Sequence, residues 1–191
     1  MRELSAIILA GGKSSRMGED KALMPFRGYN SMAEYQYKRL QKIFSSVYLS
    51  SKSNKFDFDC NIILDKYEPS TPLVAIVSAF EELNCDAIFL ISVDMPLVSK
   101  KDIKALINSY FKEPNFDIYT LKSSFGVEPT VAIYTKKVAT LALKMLQTNN
   151  YKLKNLIANS NTKTISTADN IVNINTKDDY LHFYKITSEN M

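Results

Sequence analysis

At 191 residues, 46% hydrophobic and 23% charged, the chain is long enough to bury one substantial core, and its length favours one domain over residues 1–191. Lys and Arg exceed Asp and Glu by only 24 to 20, and Lys100, Lys101, Lys136, Lys137, Lys152 and Lys154 are spread along the chain, which argues against a nucleic-acid partner. The two cysteines, Cys60 and Cys85, lack metal-ligand or C-x-x-C spacing, no run reaches the roughly 20 apolar residues that span a bilayer, and no signal-peptide pattern opens the chain, so a cytoplasmic protein without a membrane partner is expected.

Strand-like and helix-like segments alternate. Ala6–Leu9 reads as a buried strand, and Met32, Tyr35, Gln36, Leu40, Ile43 and Phe44 then recur at nearly helical spacing with Lys38, Arg39 and Lys42 opposite. Val47–Leu49 and Asn61–Leu64 are the next strands, followed by a helix on which Leu73, Ile76, Val77, Phe80 and Leu83 form one apolar face. "AIFLISV", Ala87–Val93, is the most hydrophobic strand and is expected at the centre, with Asp94 at its carboxyl end. Ser99 and Asp102 have capping-box spacing before a helix that ends short of Pro114. Asp117–Leu121 and Thr130–Tyr134 are β-rich runs that either pair as a hairpin or flank an excursion. Lys136–Gln147 and Tyr151–Ala158 look helical, with Asn149 and Asn150 between them as stop and cap. Ile171–Ile174 is predicted as a last short strand, and Thr176 with Asp179 repeats the capping-box spacing before a terminal helix. This order predicts an α/β fold, a three-layer α/β/α sandwich around a mostly parallel sheet.

In such a sheet, ligands bind beyond the carboxyl ends of the strands, where the first loop and the exit of the central strand face one another. Gly11 and Gly12 occupy the first place and Asp94 the second. Without Cβ atoms the two glycines are free to take positive φ and let a ligand approach their N–H groups, and Lys13, Arg16 and Lys21 supply counterions for phosphate. Neither G-x-G-x-x-G nor G-x-x-x-x-G-K-[ST] is present, so dehydrogenase and P-loop folds are set aside. A tight strand exit with exposed cations is the other reading of the same residues. Pro96 biases Met95 toward extended backbone and so directs Asp94 away from the helix cap, as a magnesium ligand requires; a plain strand-end cap is the alternative. His182, the only histidine, is assigned no chemistry.

These residues carry a resemblance. "LAGGKSSRMGEDKAL" resembles the signature L-A-G-G-x-S-x-R-M-G-x-D-K of the GT-A-like nucleotidyltransferases, and "SVDMPL" resembles the D-x-P metal site at their strand end. Together with "NINTKDDY" and "EPTVAIY", the chain is similar to the short members of that group, the molybdenum cofactor guanylyltransferases. The resemblance implies a Rossmann-like nucleotidyltransferase fold, Mg2+ as cofactor, and transfer of GMP from GTP to the terminal phosphate of molybdopterin or molybdenum cofactor. Other cofactor-biosynthesis proteins and acceptor enzymes are implied as further partners. It implies that Leu9, Ala10, Gly11 and Gly12 bind nucleotide through backbone, that Lys21 and Arg16 act on the phosphates, and that Asp94 holds the metal. Asp65 matches the family's second nucleotide-binding aspartate, contacting guanine or ribose; Ser50 stands where relatives often have asparagine, and Asn173 and Asn175 match the terminal motif on the pterin side. The chain departs from the family at "TPLVAI", where Thr71 and Ala75 stand in usual glycine positions beside the purine. A cytidylyltransferase, another small-molecule nucleotidyltransferase and a non-catalytic nucleotide-binding adaptor are the competing functions.

Overall fold

Residues 4–12, 18–168 and 171–188 are described by the computed structural model. Strand β1 (Ser5–Leu9) is buried on both faces, as the uninterrupted apolar run requires. Helix α1 (Met32–Leu40) starts at Ser31, whose hydroxyl accepts the Glu34 N–H at 3.0 Å. It ends earlier than its apolar spacing suggests, because Ile43 and Phe44 N–H groups both return to the Leu40 carbonyl and tighten the chain into β2 (Val47–Ser51). After β3 (Asn61–Leu64), Thr71 caps α2 (Pro72–Glu82), with Pro72 supplying a preset φ at the first helical position. Strand β4 (Ala87–Ser92) leads through the Asp94 turn to α3 (Lys100–Lys112), which Ser99 and Asp102 cap as expected.

The two β-rich runs do pair: β5 (Ile118–Ser123) and β6 (Gly126–Thr135) form an antiparallel hairpin. A 3-10 turn at Lys136–Val138 opens the next helical stretch, α4 (Ala139–Gln147), which stops at Asn149 with φ 56°, and α5 (Leu153–Ala158) follows. Strand β7 (Thr162–Ser166) pairs parallel with β5, and α6 (Lys177–Ser188) ends the described chain. The sheet order is β3-β2-β1-β4-β6-β5-β7, with β6 the single strand running against its neighbours.

Alternation along the strands divides the core. Ala6, Ile8, Phe89, Ile91 and Ile133 pack under α1, α3 and α6, whereas Ile7, Ile63, Ile88, Leu90 and Tyr134 pack under α2, α4 and α5. This is the predicted three-layer sandwich. One predicted strand is corrected: Ile171–Ile174 is not in the sheet. That segment crosses the end of β4, where the Ile174 N–H bonds the Asp94 carbonyl at 2.8 Å and its side chain is fully buried. Its apolar pattern reflects that packing. The edge strand is instead "TKTIS", whose β-branched but half-polar composition hides it from an apolar search. Among the described residues, no helix is long and apolar enough to cross a membrane.

Candidate active site

Strands β1, β2, β3 and β4 all end at one edge of the sheet, and a cavity of about 170 Å³ opens there. Leu9, Ala10, Gly11, Gly12, Lys21, Ser50, Asp65 and Asp94, eight residues singled out from the sequence, line it together. Asn175 reaches the same place through Lys21. Arg16 and Lys13 lie outside the described residues.

The Lys21 ammonium stands between two acceptors, 3.0 Å from Asn175 Oδ1 and 3.4 Å from Asp94 Oδ2, in a setting that leaves its side chain 12% and that of Asp94 19% exposed. Asp20 positions this lysine by accepting the Ala22 N–H at 3.0 Å and so capping the 3-10 turn Lys21–Leu23. Asn175 is fixed in turn by Asp179, whose carboxylate accepts the Asn175 and Thr176 N–H groups at 3.0 and 2.8 Å. The bonds from the Thr176 N–H and hydroxyl, and then that from Asn175, hold the Asp179 carboxyl below the usual carboxylate range.

Asp94 Oδ1 is buried and has no hydrogen-bond partner among the described residues, as is Asn173 Oδ1. A carboxylate oxygen so placed on a cavity wall suits a cation delivered with the ligand. No group of three His, Cys, Asp or Glu side chains among the described residues forms a closed metal cage. The residues fit magnesium that takes one protein carboxylate and completes its shell with phosphate and water.

On the opposite flank Asp65 accepts the Ser50 hydroxyl on Oδ1 at 2.7 Å and the Ser70 hydroxyl on Oδ2 at 3.0 Å. The Gly11 backbone passes directly beside it: a Cβ at Gly11 would lie 3.1 Å from Asp65 Oδ2 and 3.3 Å from Ser51 Cα. This corrects the expectation of positive φ. Glycine is needed at 11 because β1 exits against Asp65 and β2, and neither Gly11 nor Gly12 is left-handed. Among the described residues a Cβ at Gly12 would meet nothing within 4 Å, a side open to a ligand.

Lys55 escaped the sequence reading. Its ammonium donates to the Ala10 carbonyl at 2.7 Å and pairs with Asp20, joining the start of the glycine loop to its end. No local pattern marks a lysine 45 residues downstream as part of this loop. Ser70 was missed for the same reason, although it adjoins Thr71. Thr71 and Ala75 do line the cavity, and the Thr71 hydroxyl is occupied by the Val74 N–H at 3.4 Å.

A mostly parallel sheet with a glycine exit, a lysine and a strand-end aspartate around one cleft fits a nucleotidyltransferase. Residues 6–164 match the MobA-like NTP transferase domain, and the chain belongs to that family. It is 30% identical over 187 residues to a molybdenum cofactor guanylyltransferase from Campylobacter jejuni subsp. doylei, covering 96% of each chain. A protein of the same name from Helicobacter pylori is 34% identical over 185 residues, covering 93% of this chain and 90% of that one. Among solved structures, molybdopterin-guanine dinucleotide biosynthesis protein A from Archaeoglobus fulgidus superposes with a TM-score of 0.83 at 18% identity, over 97% of this chain and 100% of that one. A CMP:2-keto-3-deoxy-manno-octonic acid synthetase reaches the same TM-score at 13% identity, over 99% of this chain and 100% of that one. Backbone likeness at these identities therefore speaks for the fold and not for the base transferred.

Proposed function

We propose that this protein is a molybdenum cofactor guanylyltransferase: it transfers GMP from GTP to the terminal phosphate of molybdopterin or molybdenum cofactor. An acceptor phosphate oxygen forms a bond to the α-phosphorus of GTP, and the bond from that phosphorus to the bridging oxygen of the β-phosphate breaks. Pyrophosphate leaves with that electron pair. The observation that carries this reading is the convergence of the Gly11–Gly12 exit, Lys21 and the unpartnered Asp94 oxygen on one cavity.

The reaction asks for alignment and for neutralisation of charge on phosphate oxygens. Lys21 supplies one cation already oriented by Asn175 and Asp94, and Arg16 is assigned a second. The Leu9–Gly12 backbone cradles the nucleotide. Asp65 keeps free lone pairs after accepting from Ser50 and Ser70, enough to receive guanine N1–H and the 2-amino group. Asn173 and Asn175, from their match to the terminal motif, are assigned to the pterin side of the acceptor. Asp94 would hold Mg2+, which supplies Lewis-acid polarisation of the phosphates when bound. Cofactor-biosynthesis proteins that deliver the acceptor, and enzymes that receive the product, are the further partners.

Pyrophosphate release with each of the four NTPs, with magnesium and with or without molybdopterin on a carrier, tests this reading. Release with GTP alone and only in the presence of molybdopterin is expected. Preference for CTP would move the chain to the cytidylyl branch, and tight nucleotide binding without release would make it an adaptor. Asp94→Asn is expected to lower kcat by on the order of 10³ with the fold intact, and near-normal rates would remove its metal role.

A further inference from the structure

Behind the turn that carries Asp94, the segment Pro96–Val98 forms the wall of a second groove of about 330 Å³. Arg27, Arg39, Lys42 and Lys100 surround it, and among the described residues no carboxylate lines it. None of these four makes an ion pair with a described residue. Four like charges around one concavity repel each other, and this costs stability unless a counter-anion joins them.

The groove is built rather than incidental. Arg27 (φ 51°) and Gly28 (φ 78°) are the central residues of a tight turn closed by the Phe26–Tyr29 bridge, which sets the Arg27 backbone beside the groove. Its guanidinium is 5.6 Å from the Phe26 ring centre and 5.8 Å from that of Tyr35, and it donates to the Tyr35 hydroxyl at 3.2 Å. Arg39 is fixed from below by donating to the carbonyls of Pro96 and Val98, the second at 2.6 Å. Burial pulls the Arg39 guanidinium below its ordinary pKa, and the neighbouring Arg27 charge acts in the same direction. Arg39 is thus held in place, Arg27 leans on the Phe26 and Tyr35 rings, and two lysines stand at the rim, an arrangement suited to the oxygens of a dianion.

We propose that this groove is a second anion site, distinct from the glycine-lined cavity, and that it takes a phosphate group, either a free phosphate or diphosphate or the phosphomonoester of a small molecule. The test is an NMR titration of the whole chain with inorganic phosphate and, separately, with pyrophosphate at constant ionic strength. Arg27 and Arg39 Nε–H signals and the amides of residues 97–100 should shift saturably, with a midpoint different from that of Gly11 and Gly12. Tighter binding of pyrophosphate than phosphate identifies a free diphosphate as the occupant, and equal binding a single phosphomonoester.

Arg27→Gly removes one cation and relieves its positive φ, so any loss of binding cannot be put down to unfolding. This variant and Lys42→Ala should each weaken the groove response by about tenfold and leave that of Gly11 and Gly12 unchanged. The proposal is overturned if only Gly11 and Gly12 respond, if chloride produces the same shifts, or if Arg27→Gly changes nothing. It is equally overturned if a poly-glutamate peptide moves these signals while phosphate does not, since the groove would then be a docking surface for an acidic protein segment. None of these readings depends on turnover, so their outcome is independent of the guanylyl-transfer assay.

Discussion

Exchanging Gly11 and Gly12 for alanine separates two reasons for a glycine. At Gly11 the new Cβ falls 3.1 Å from Asp65 Oδ2 and 3.3 Å from Ser51 Cα, both inside ordinary contact distance. The carboxylate is tied by Ser50 and Ser70, and the Cα belongs to a paired strand, so neither neighbour yields freely. Such overpacking costs about 1–3 kcal/mol, and the stiffer unfolded chain returns about 0.4–1 kcal/mol. The net is a loss of about 1 kcal/mol, a fall in Tm of about 2–4 °C for a chain of this size. Displacing Asp65 should also weaken the charged hydrogen bond proposed between it and the base, raising the KM for GTP by about tenfold or more. At Gly12 the Cβ meets nothing within 4 Å among the described residues and φ is not left-handed, so Gly12→Ala should leave Tm unchanged or raise it by about 1–3 °C. Its effect appears only with nucleotide, again as a raised KM. Thermal unfolding of both variants, beside initial rates over a range of GTP concentrations, makes the comparison. If Gly11→Ala melts at or above the native temperature with an unaltered KM, the close approach to Asp65 has no consequence and the account of this strand exit fails.

Lys55→Met leaves the Asp20 carboxylate uncompensated on the cavity wall, where it repels triphosphate; the KM for GTP should rise by roughly 3–10-fold, and adding Asp20→Asn should restore part of the loss in a double-mutant cycle. Tyr134→Phe deletes a buried hydroxyl that donates to the Pro129 carbonyl at 2.7 Å, and calorimetry should record a loss of about 1–2 kcal/mol with catalytic constants unchanged. The folded-state pKa of Asp179 is depressed, so its stabilising contribution is complete above the ordinary carboxylate range and fades as pH falls through the lowered value. The hydrogen-exchange protection factors at the start of α6, taken relative to the intrinsic rate at each pH, should therefore fall in acid, below about pH 4, and in Asp179→Asn they should be low already at pH 7 and vary little with pH; an unaltered profile in that variant would show that the Asp179 bonds do not anchor the segment.

The elements legible in the sequence are those whose residues interact locally or repeat. Buried strands such as Ala87–Ser92 announce themselves by uninterrupted apolar residues, and the Ser99 and Thr176 caps by a spacing that brings hydroxyl and carboxylate to the same helix end. Gly11 and Asp94 were legible because strand ends in a parallel sheet converge by construction, Lys21 as a cation close behind the glycines, and Asp65 through its match to the family's second nucleotide-binding aspartate. Lys55 and Ser70 were not, since each joins the site through a loop whose path only tertiary structure sets. The strand Thr162–Ser166 was hidden by its half-polar edge, and Ile171–Ile174 mimicked a strand because packing over β4 asks for the same apolar residues as pairing does. Of the two reasons read for the glycines, positive φ is not found and close approach remains, at Gly11 to Asp65 and β2: a missing Cβ serves either, and only the neighbours decide which.

What holds Asp94 on the cavity wall lies behind it as much as in front. Gln36 is fully buried and donates both N–H groups of its amide, to the Ser92 and Met95 carbonyls, each at 3.3 Å. Because both partners are acceptors, the amide cannot be reversed, and its oxygen is left in the core without a hydrogen bond. One turn further along α1, Arg39 takes the Pro96 and Val98 carbonyls. Four carbonyls of the turn are thereby drawn toward α1, and the intervening Asp94 carboxylate faces the cavity and Lys21. An apolar residue at 36 would remove the orphaned oxygen, yet it would also strip the Met95 carbonyl of its Gln36 bond, leave the Ser92 carbonyl to the Met95 N–H at 3.1 Å, and free the turn to rotate. The buried amide is thus a local loss of stability retained because it fixes the direction of one carboxylate, the pattern expected where geometry and not burial is under demand.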